Sequence, residues 1–236
     1  MSAPGASLVR RRAPNRRPRV VLFDVFETIL QVHALASRFV DVGRPAHEWE
    51  LFFTRTLRDG MALTLAGAAR PFAEVARAAL RTTAHDQLSG EALDHVLAGF
   101  HELPPHRDVE PALVTLTRAR IPTYAFTHGD ADVACAALDR VGLRSYLRGV
   151  LSAEEIQSFK PPLRVYDWAC RRVGTPAERV ALVAVHSWDV HGAVRAGLVG
   201  GFATRLEGRV PDIVERPHVV AERVDLVVDR LLALKV

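Results

Sequence analysis

Apolar residues fall along this chain in two rhythms. Val20-Val21-Leu22-Phe23 is an unbroken apolar run that ends on Asp24. It lacks polar alternation and is rich in β-branched residues, which predicts a strand buried on both faces, as in a parallel sheet. For about seventy residues the rhythm then becomes helical, with apolar positions three and four apart. Helices are predicted over 34–40, 48–57, 71–80 and 91–100, punctuated by Gly60, Gly67 and Gly90. Leu103-Pro104-Pro105-His106 closes this block as a stiff, helix-incompatible connector. Beyond it, helices over 109–118, 130–141, 162–173 and 190–196 alternate with short strands over 122–126, 149–152, 180–185 and 200–204. A last strand–helix unit is expected in 224–234. Such alternation predicts an α/β fold with a doubly wound parallel sheet. The core is expected from 19–32 and 106–236, with a helical insertion over 33–105.

Composition adds three constraints. Among 236 residues there is no apolar run long enough for a membrane span, so no membrane partner is expected. Cys135 and Cys170 form neither a metal-ligand spacing nor a disulfide framework, which fits a reduced, cytoplasmic setting. The basic isoelectric point of about 9.6 is largely a property of the N-terminal segment, where residues 1–19 carry six arginines and no acid. Residues 1–18 are expected to be a disordered basic tail, and the near-neutral remainder gives no argument for nucleic acid.

The lysine count changes the picture more. Lysine occurs twice, at Lys160 and Lys235, in a chain that otherwise writes its positive charges as arginine. Lys235, next to last, is expected to fray. Lys160 lies inside Ser158-Phe159-Lys160-Pro161-Pro162, which suggests a site needing a compact point charge that a planar guanidinium cannot supply.

In a doubly wound sheet the C-terminal ends of neighbouring strands converge on one crevice. The predicted strand ends deliver Asp24 and Thr28, Thr127 and His128, Lys160, and His186 and Asp189. Taken singly these residues are ordinary, and Asp189 reads equally well as the cap of a helix over 190–196. Together they form a set that can carry chemistry.

In this order, Asp24-Val25-Phe26-Glu27-Thr28, Thr127-His128-Gly129, Lys160-Pro161 and Val185-His186-Ser187-Trp188-Asp189 resemble the four motifs of the haloacid dehalogenase superfamily of hydrolases. The likeness is narrower still to the type II 2-haloacid dehalogenase branch. It runs from about Arg19 to the C-terminus and implies a Rossmann-like core with an inserted helical cap. It also implies that Asp24 is a nucleophile forming an ester that water hydrolyses, and that Lys160 keeps it ionised. Thr28 and Thr127 would hold the nucleophile or a substrate carboxylate. Water would be activated by Asp189 with help from His186.

Phe26 separates the branches. Phosphatases of this superfamily place a second aspartate there to protonate the leaving alkoxide, which Phe26 cannot do. A halide leaves without a proton, so hydrolysis of short 2-haloacids to 2-hydroxy acids without a cofactor is the first expectation. Phe26 and Trp188 would wall the substrate, Tyr166 matches a family tyrosine, and Arg55, with Arg58 as its rival, would bind the halide. Two other readings stay open: a phosphatase with Mg²⁺ between Asp24 and Asp189, and a catalytically weak binding or regulatory protein. A transition-metal site at His128, His186 and Asp189 is more remote. A homodimer through the cap face is compatible with all of them.

The chain departs from the studied dehalogenases in three motifs: they carry glycine at the place of Glu27, Ser-Asn at that of Thr127-His128, and an asparagine-containing fourth motif where this chain has His186. Glu27 would add negative charge near the nucleophile unless it turned outward. A protonated His128 would bind halide in place of the asparagine, and activity would then fall as pH rose through its pKa.

Overall fold

The computed structural model describes residues 16–236. The N-terminal segment assigned to a disordered tail lies outside the described residues up to residue 15. Arg16–Pro18 do not hang free: the Arg17 amide donates to the Lys235 carbonyl at 2.7 Å, and Arg16 bridges the same residue. Lys235 is therefore tied down by backbone pairing, contrary to the expectation that it frays.

Strand β1 (Val20–Asp24) is followed by α1 (Ala36–Asp41), α2 (Glu48–Leu65), α3 (Phe72–Thr83) and α4 (Gly90–Ala98). The alternating region then runs α5 (Val109–Arg118), β2 (Thr123–Thr127), α6 (Ala131–Arg140), β3 (Gly149–Ser152) and α7 (Leu163–Arg172). It finishes with β4 (Val180–Ala184), α8 (Ser187–Arg195), β5 (Val199–Ala203), β6 (Val219–Ala221) and α9 (Val224–Leu232). The strands form one parallel sheet in the order β3-β2-β1-β4-β5-β6. The chain builds one side of β1 and then crosses to the other, so the switch in direction falls between β1 and β4.

Both faces of the sheet are covered, which is why its strands read as continuous apolar runs. Val21 and Phe23 point into one core with Leu113 of α5 and Val227 and Val228 of α9. Val20 and Leu22 point into the other, with Val165, Tyr166 and Ala169 of α7 and Ala193 of α8.

Three expectations need correction. Helix α2 does not stop at Leu57, and Gly60 does not punctuate it. A Cβ at Gly60 would overlap the Phe159 ring, so glycine is required there by a tertiary contact in mid-helix. The final unit draws its strand from 219–221 and only its helix from 224–232. Helix α8 begins at Ser187, so Asp189 lies in its first turn, and His186 is the N-cap residue, with no side-chain capping bond.

The helical block α1–α4 joins the sheet domain through two chain segments that run side by side. The Gln31 amide donates to the Pro104 carbonyl at 2.8 Å, and the His106 amide donates to that of Ile29 at 2.9 Å. The prolines at 104 and 105 present carbonyls to this neck and have no amide of their own to satisfy.

Candidate active site

Strand β1 ends on Asp24 in the centre of the sheet, beside the switch point, and only 2% of its surface is exposed. Lys160 arrives from the turn after β3, where Gln157 adopts a left-handed conformation (φ 47°) that reverses the chain. The Lys160 side chain is wholly buried. Its ammonium donates to Asp24 Oδ1 at 2.7 Å, to Asp189 Oδ2 at 2.5 Å and to the Phe126 carbonyl at 3.3 Å. All three N–H donors diverge from one atom and are used. A guanidinium spreads its donors along a planar fork and cannot make this arrangement, which explains a lysine in an arginine-rich chain.

The other atoms of the two carboxylates are equally occupied. Thr28 Oγ1 donates to Asp24 Oδ2 at 2.6 Å and accepts from the Val185 amide at 3.1 Å, tying β1 to β4. Tyr166 Oη donates to Asp189 Oδ1 at 2.6 Å. Gly192 makes room for this phenol, since a Cβ there would come within 2.6 Å of its oxygen. Burial pushes the Asp24 carboxyl up, but the Lys160 ammonium and a hydrogen bond from His186 outweigh it and hold Asp24 well below the usual carboxylate range. Burial raises Asp189, and the pull of Lys160 against the charge of Asp24 does not reverse this. For Lys160, burial works against the ammonium, but the charges of Asp189 and Asp24 keep its pKa above the ordinary lysine range.

His186 bridges two carboxylates. Its Nδ1 lies 3.2 Å from Asp24 Oδ2 and its Nε2 lies 3.0 Å from Glu27 Oε2. Burial alone would push the imidazole down. Hydrogen bonds to Asp24 and Glu27 prevail and raise its pKa to about 9, so at neutral pH it is an imidazolium donating to both. Glu27 therefore turns inward, and its charge is compensated by His186.

This linkage has a sign. An imidazole whose pKa rises from 6.5 to about 9 on folding contributes stability that is complete below pH 6.5 and lost as pH climbs through 9. The contribution is about 3 kcal/mol. Thermal unfolding is expected to show a falling midpoint between pH 6.5 and 9, with a shallower fall in Glu27→Gln; equal slopes in the two proteins would contradict the pairing.

His128 behaves differently. Burial and the Lys160 charge push its pKa well below 6.5, so the ring is neutral. The protonated form expected from the sequence is not the resting one, and no loss of activity is expected as pH rises through neutrality on its account. Its Nδ1 accepts from the Lys160 amide at 3.3 Å, which leaves the proton on Nε2. That Nε2 is buried without a hydrogen-bond partner. A buried orphan donor is costly in an empty site and suits an anion in an occupied one.

The remaining predicted residues are placed as follows. The Thr127 hydroxyl accepts from the Gly129 amide at 3.1 Å, so it shapes the turn after β2 and does not bond to Asp24. Trp188 stacks on His186, with ring centroids 5.1 Å apart, and lies 5.7 Å from His128. Phe26 packs among Phe53, Phe72 and Phe100, with centroids 5.2–6.1 Å away. It also lines a mainly apolar cavity of about 550 Å³ shared with Phe72, Ala76, Phe100, Gly129 and Val133. Arg55 donates to Thr83 Oγ1 at 3.2 Å, inside the helical block and joined to helix α3. Arg58 pairs with the adjacent Asp59.

Arg205 was not picked out by the sequence. Its guanidinium donates to the carbonyls of Glu27 and Thr28 at 2.9 and 2.5 Å and to Asp108 at 2.8 Å, pinning the turn that follows the nucleophile strand. Nothing in the order of residues marks it among so many arginines.

An ammonium lies between Asp24 and Asp189, and Phe26 stands two residues after Asp24, where a further acid would offer a hard cation an oxygen. Both nitrogens of His186 face carboxylates, and both oxygens of Asp189 have donors. Among the described residues no cluster of three or more such side chains could hold a metal.

A carboxylate held ionised by a buried ammonium at the switch point of a doubly wound sheet is an arrangement suited to nucleophilic hydrolysis. Residues 18–197 match the family model of the haloacid dehalogenase-like hydrolases, and the chain belongs to that family. It is 30% identical over 191 residues to (S)-2-haloacid dehalogenase 4A of Burkholderia cepacia, covering 76% of this chain and 80% of that one. To (S)-2-haloacid dehalogenase 1 of Pseudomonas sp. it is 29% identical over 180 residues, covering 74% and 79%. The structure of the L-2-haloacid dehalogenase of Xanthobacter autotrophicus with chloropropionic acid covalently bound superposes with a TM-score of 0.83. That match covers 90% of this chain and 97% of the other at 20% identity, a likeness of fold.

Proposed function

We propose that this protein hydrolyses short 2-haloacids to 2-hydroxy acids, with Asp24 as nucleophile. The observation that carries the reading is the Asp24–Lys160 pair together with Phe26 two residues beyond the nucleophile. The ammonium keeps the attacking oxygen anionic, and the phenyl ring supplies no proton, which a departing halide does not need. An Asp24 oxygen bonds to Cα as the carbon–halogen bond breaks, and the halide leaves with the bonding pair. Attack from the rear inverts Cα. The Nε2–H of neutral His128, buried and unpartnered, is suited to receive the halide or the substrate carboxylate. Water then adds to the ester carbonyl, the ester C–O bond breaks, and Asp24 returns as the carboxylate with release of one proton. The relatives named as (S)-2-haloacid dehalogenases support the substrate class.

We assign the helical block over 33–105 as the cap, hinged at the paired segments near Gln31 and Pro104, with Phe53, Phe72 and Phe100 closing over Phe26. The reaction as written uses no metal. Val40, Leu51 and Leu65 are exposed on that block and are the residues through which a homodimer would form. A cytoplasmic setting is supported by the cysteine usage, since Cys135 and Cys170 form neither a metal-ligand spacing nor a disulfide framework in the sequence. Among the described residues no helix is long and apolar enough to cross a membrane.

The test is chloride release from chloroacetate and (S)-2-chloropropionate, run beside a phosphatase probe, with and without EDTA. Chloride release that EDTA does not touch is the expected result. Phosphate release abolished by EDTA, without chloride release, would overturn the proposal.

A further inference from the structure

Glu27 and His186 lie 159 positions apart and meet beside the nucleophile. The backbone at Glu27 is left-handed (φ 63°), a conformation open to glycine and strained for other residues. The turn is held from both ends of the residue: the Glu27 amide donates to the Leu30 carbonyl at 2.7 Å, and Arg205 donates to the Glu27 carbonyl. Glycine would meet these backbone needs without strain. What glutamate adds is the carboxylate on His186 Nε2.

The groups around the Asp24 carboxyl narrow the choice of a base. Lys160 is a committed donor, and Thr28 donates its one hydroxyl proton to Oδ2. Asp189 accepts from Lys160 on one oxygen and from Tyr166 on the other, two donors that stabilise its anion and oppose its taking a proton from water. His186 Nδ1 points at Asp24 and can change its protonation state when Asp24 loses its charge.

We propose that His186, oriented by Glu27, is the general base that delivers water to the Asp24 ester. The inference rests on the reading of Asp24 as a nucleophile. In the resting protein the imidazolium donates to both carboxylates. Alkylation of Asp24 removes one of the two anions that support the proton on Nδ1. That proton departs to solvent, while Nε2–H stays on Glu27. The other ionic groups facing this point are Lys160 and Arg205, which favour loss of the proton, and Asp189, which opposes it; His128 is neutral and Trp188 stacks on the ring. Water gives a proton to Nδ1 as its oxygen attacks Cγ of Asp24. Collapse of the tetrahedral intermediate breaks the ester C–O bond, and the leaving alkoxide takes the proton from Nδ1. The Asp24 carboxylic acid then passes its proton to His186, restoring the starting pair. The cycle consumes haloacid and water and yields hydroxy acid, halide and one proton.

The experiment is a single turnover of (S)-2-chloropropionate by the full chain, with chloride, hydroxy acid and intact protein mass followed separately. His186→Gln is expected to release close to one equivalent of chloride and then stall as the covalent adduct. Its hydrolysis should be about 10²-fold slower or worse. Glu27→Gly suits the left-handed backbone. It is expected to slow hydrolysis less and to move the rising pH limb of that step to lower pH, because the imidazole loses a supporting anion. Hydroxy acid appearing in step with chloride in His186→Gln, or both steps falling by the same factor without adduct, would overturn the assignment of the base. A wild-type protein that frees no chloride would overturn the dehalogenase reading itself, and the inference with it.

Discussion

Asp24→Asn is expected to release no chloride from any 2-haloacid, a loss on the order of 10⁶-fold, as when a nucleophile is removed from a working hydrolase. The amide occupies the same volume, and Lys160 keeps its bond to Asp189, so the protein should remain folded. The loss is then chemical: an amide oxygen carries no full charge, and no ester can form that water would convert back to the starting enzyme. Chloride release compared with near-ultraviolet circular dichroism separates lost chemistry from lost structure. Wild-type turnover in this variant would remove Asp24 from the reaction.

Lys160→Met should be as damaging to the fold as to activity. It leaves Asp24 and Asp189 buried without the ammonium that joins them, and breaking a buried ion pair from one side costs about 3–5 kcal/mol. The loss should depend on pH in a definite sense. Without the cation, burial and mutual repulsion raise the pKa of the carboxylate pair. A group whose folded pKa is raised contributes stability at low pH and loses it as pH rises. Urea unfolding at pH 5 and pH 7, run beside the wild type, should show the variant weakening across that interval. Lys160→Arg is expected to fail as well, because a planar fork cannot send donors to Asp24, Asp189 and Phe126 from one buried point.

Much of this was legible in the order of residues, for reasons that can be stated. The strand before Asp24 could be read because a parallel strand buried on both faces leaves an unbroken apolar run. Lys160 stood out against an arginine-rich background, and the three diverging hydrogen bonds supply the reason. Information that lives between distant segments could not be read. Glu27 looked like a stray charge and His186 like a helper of Asp189. Their pairing depends on β1 lying beside β4, which sets Phe23 opposite Val183 and brings the two following turns together. Gly60 looked like a helix stop because its real partner, Phe159, is far along the chain. His128 looked like a cation because its burial beside Lys160 was not visible. Asp189 looked like a helix cap because α8 begins three residues before the apolar rhythm announces it.

Phe159 carries a consequence that joins the two halves of the molecule. Its ring fills the notch at Gly60, its amide donates to Thr64 Oγ1 at 2.9 Å, and the next residue is Lys160. The seat of helix α2 and the seat of the ammonium are thus set by one side chain and one peptide. Any movement of the helices that admits a reactant is felt one residue away from the charge that prepares the attacking oxygen. Entry to the crevice and readiness of its nucleophile are mechanically a single adjustment.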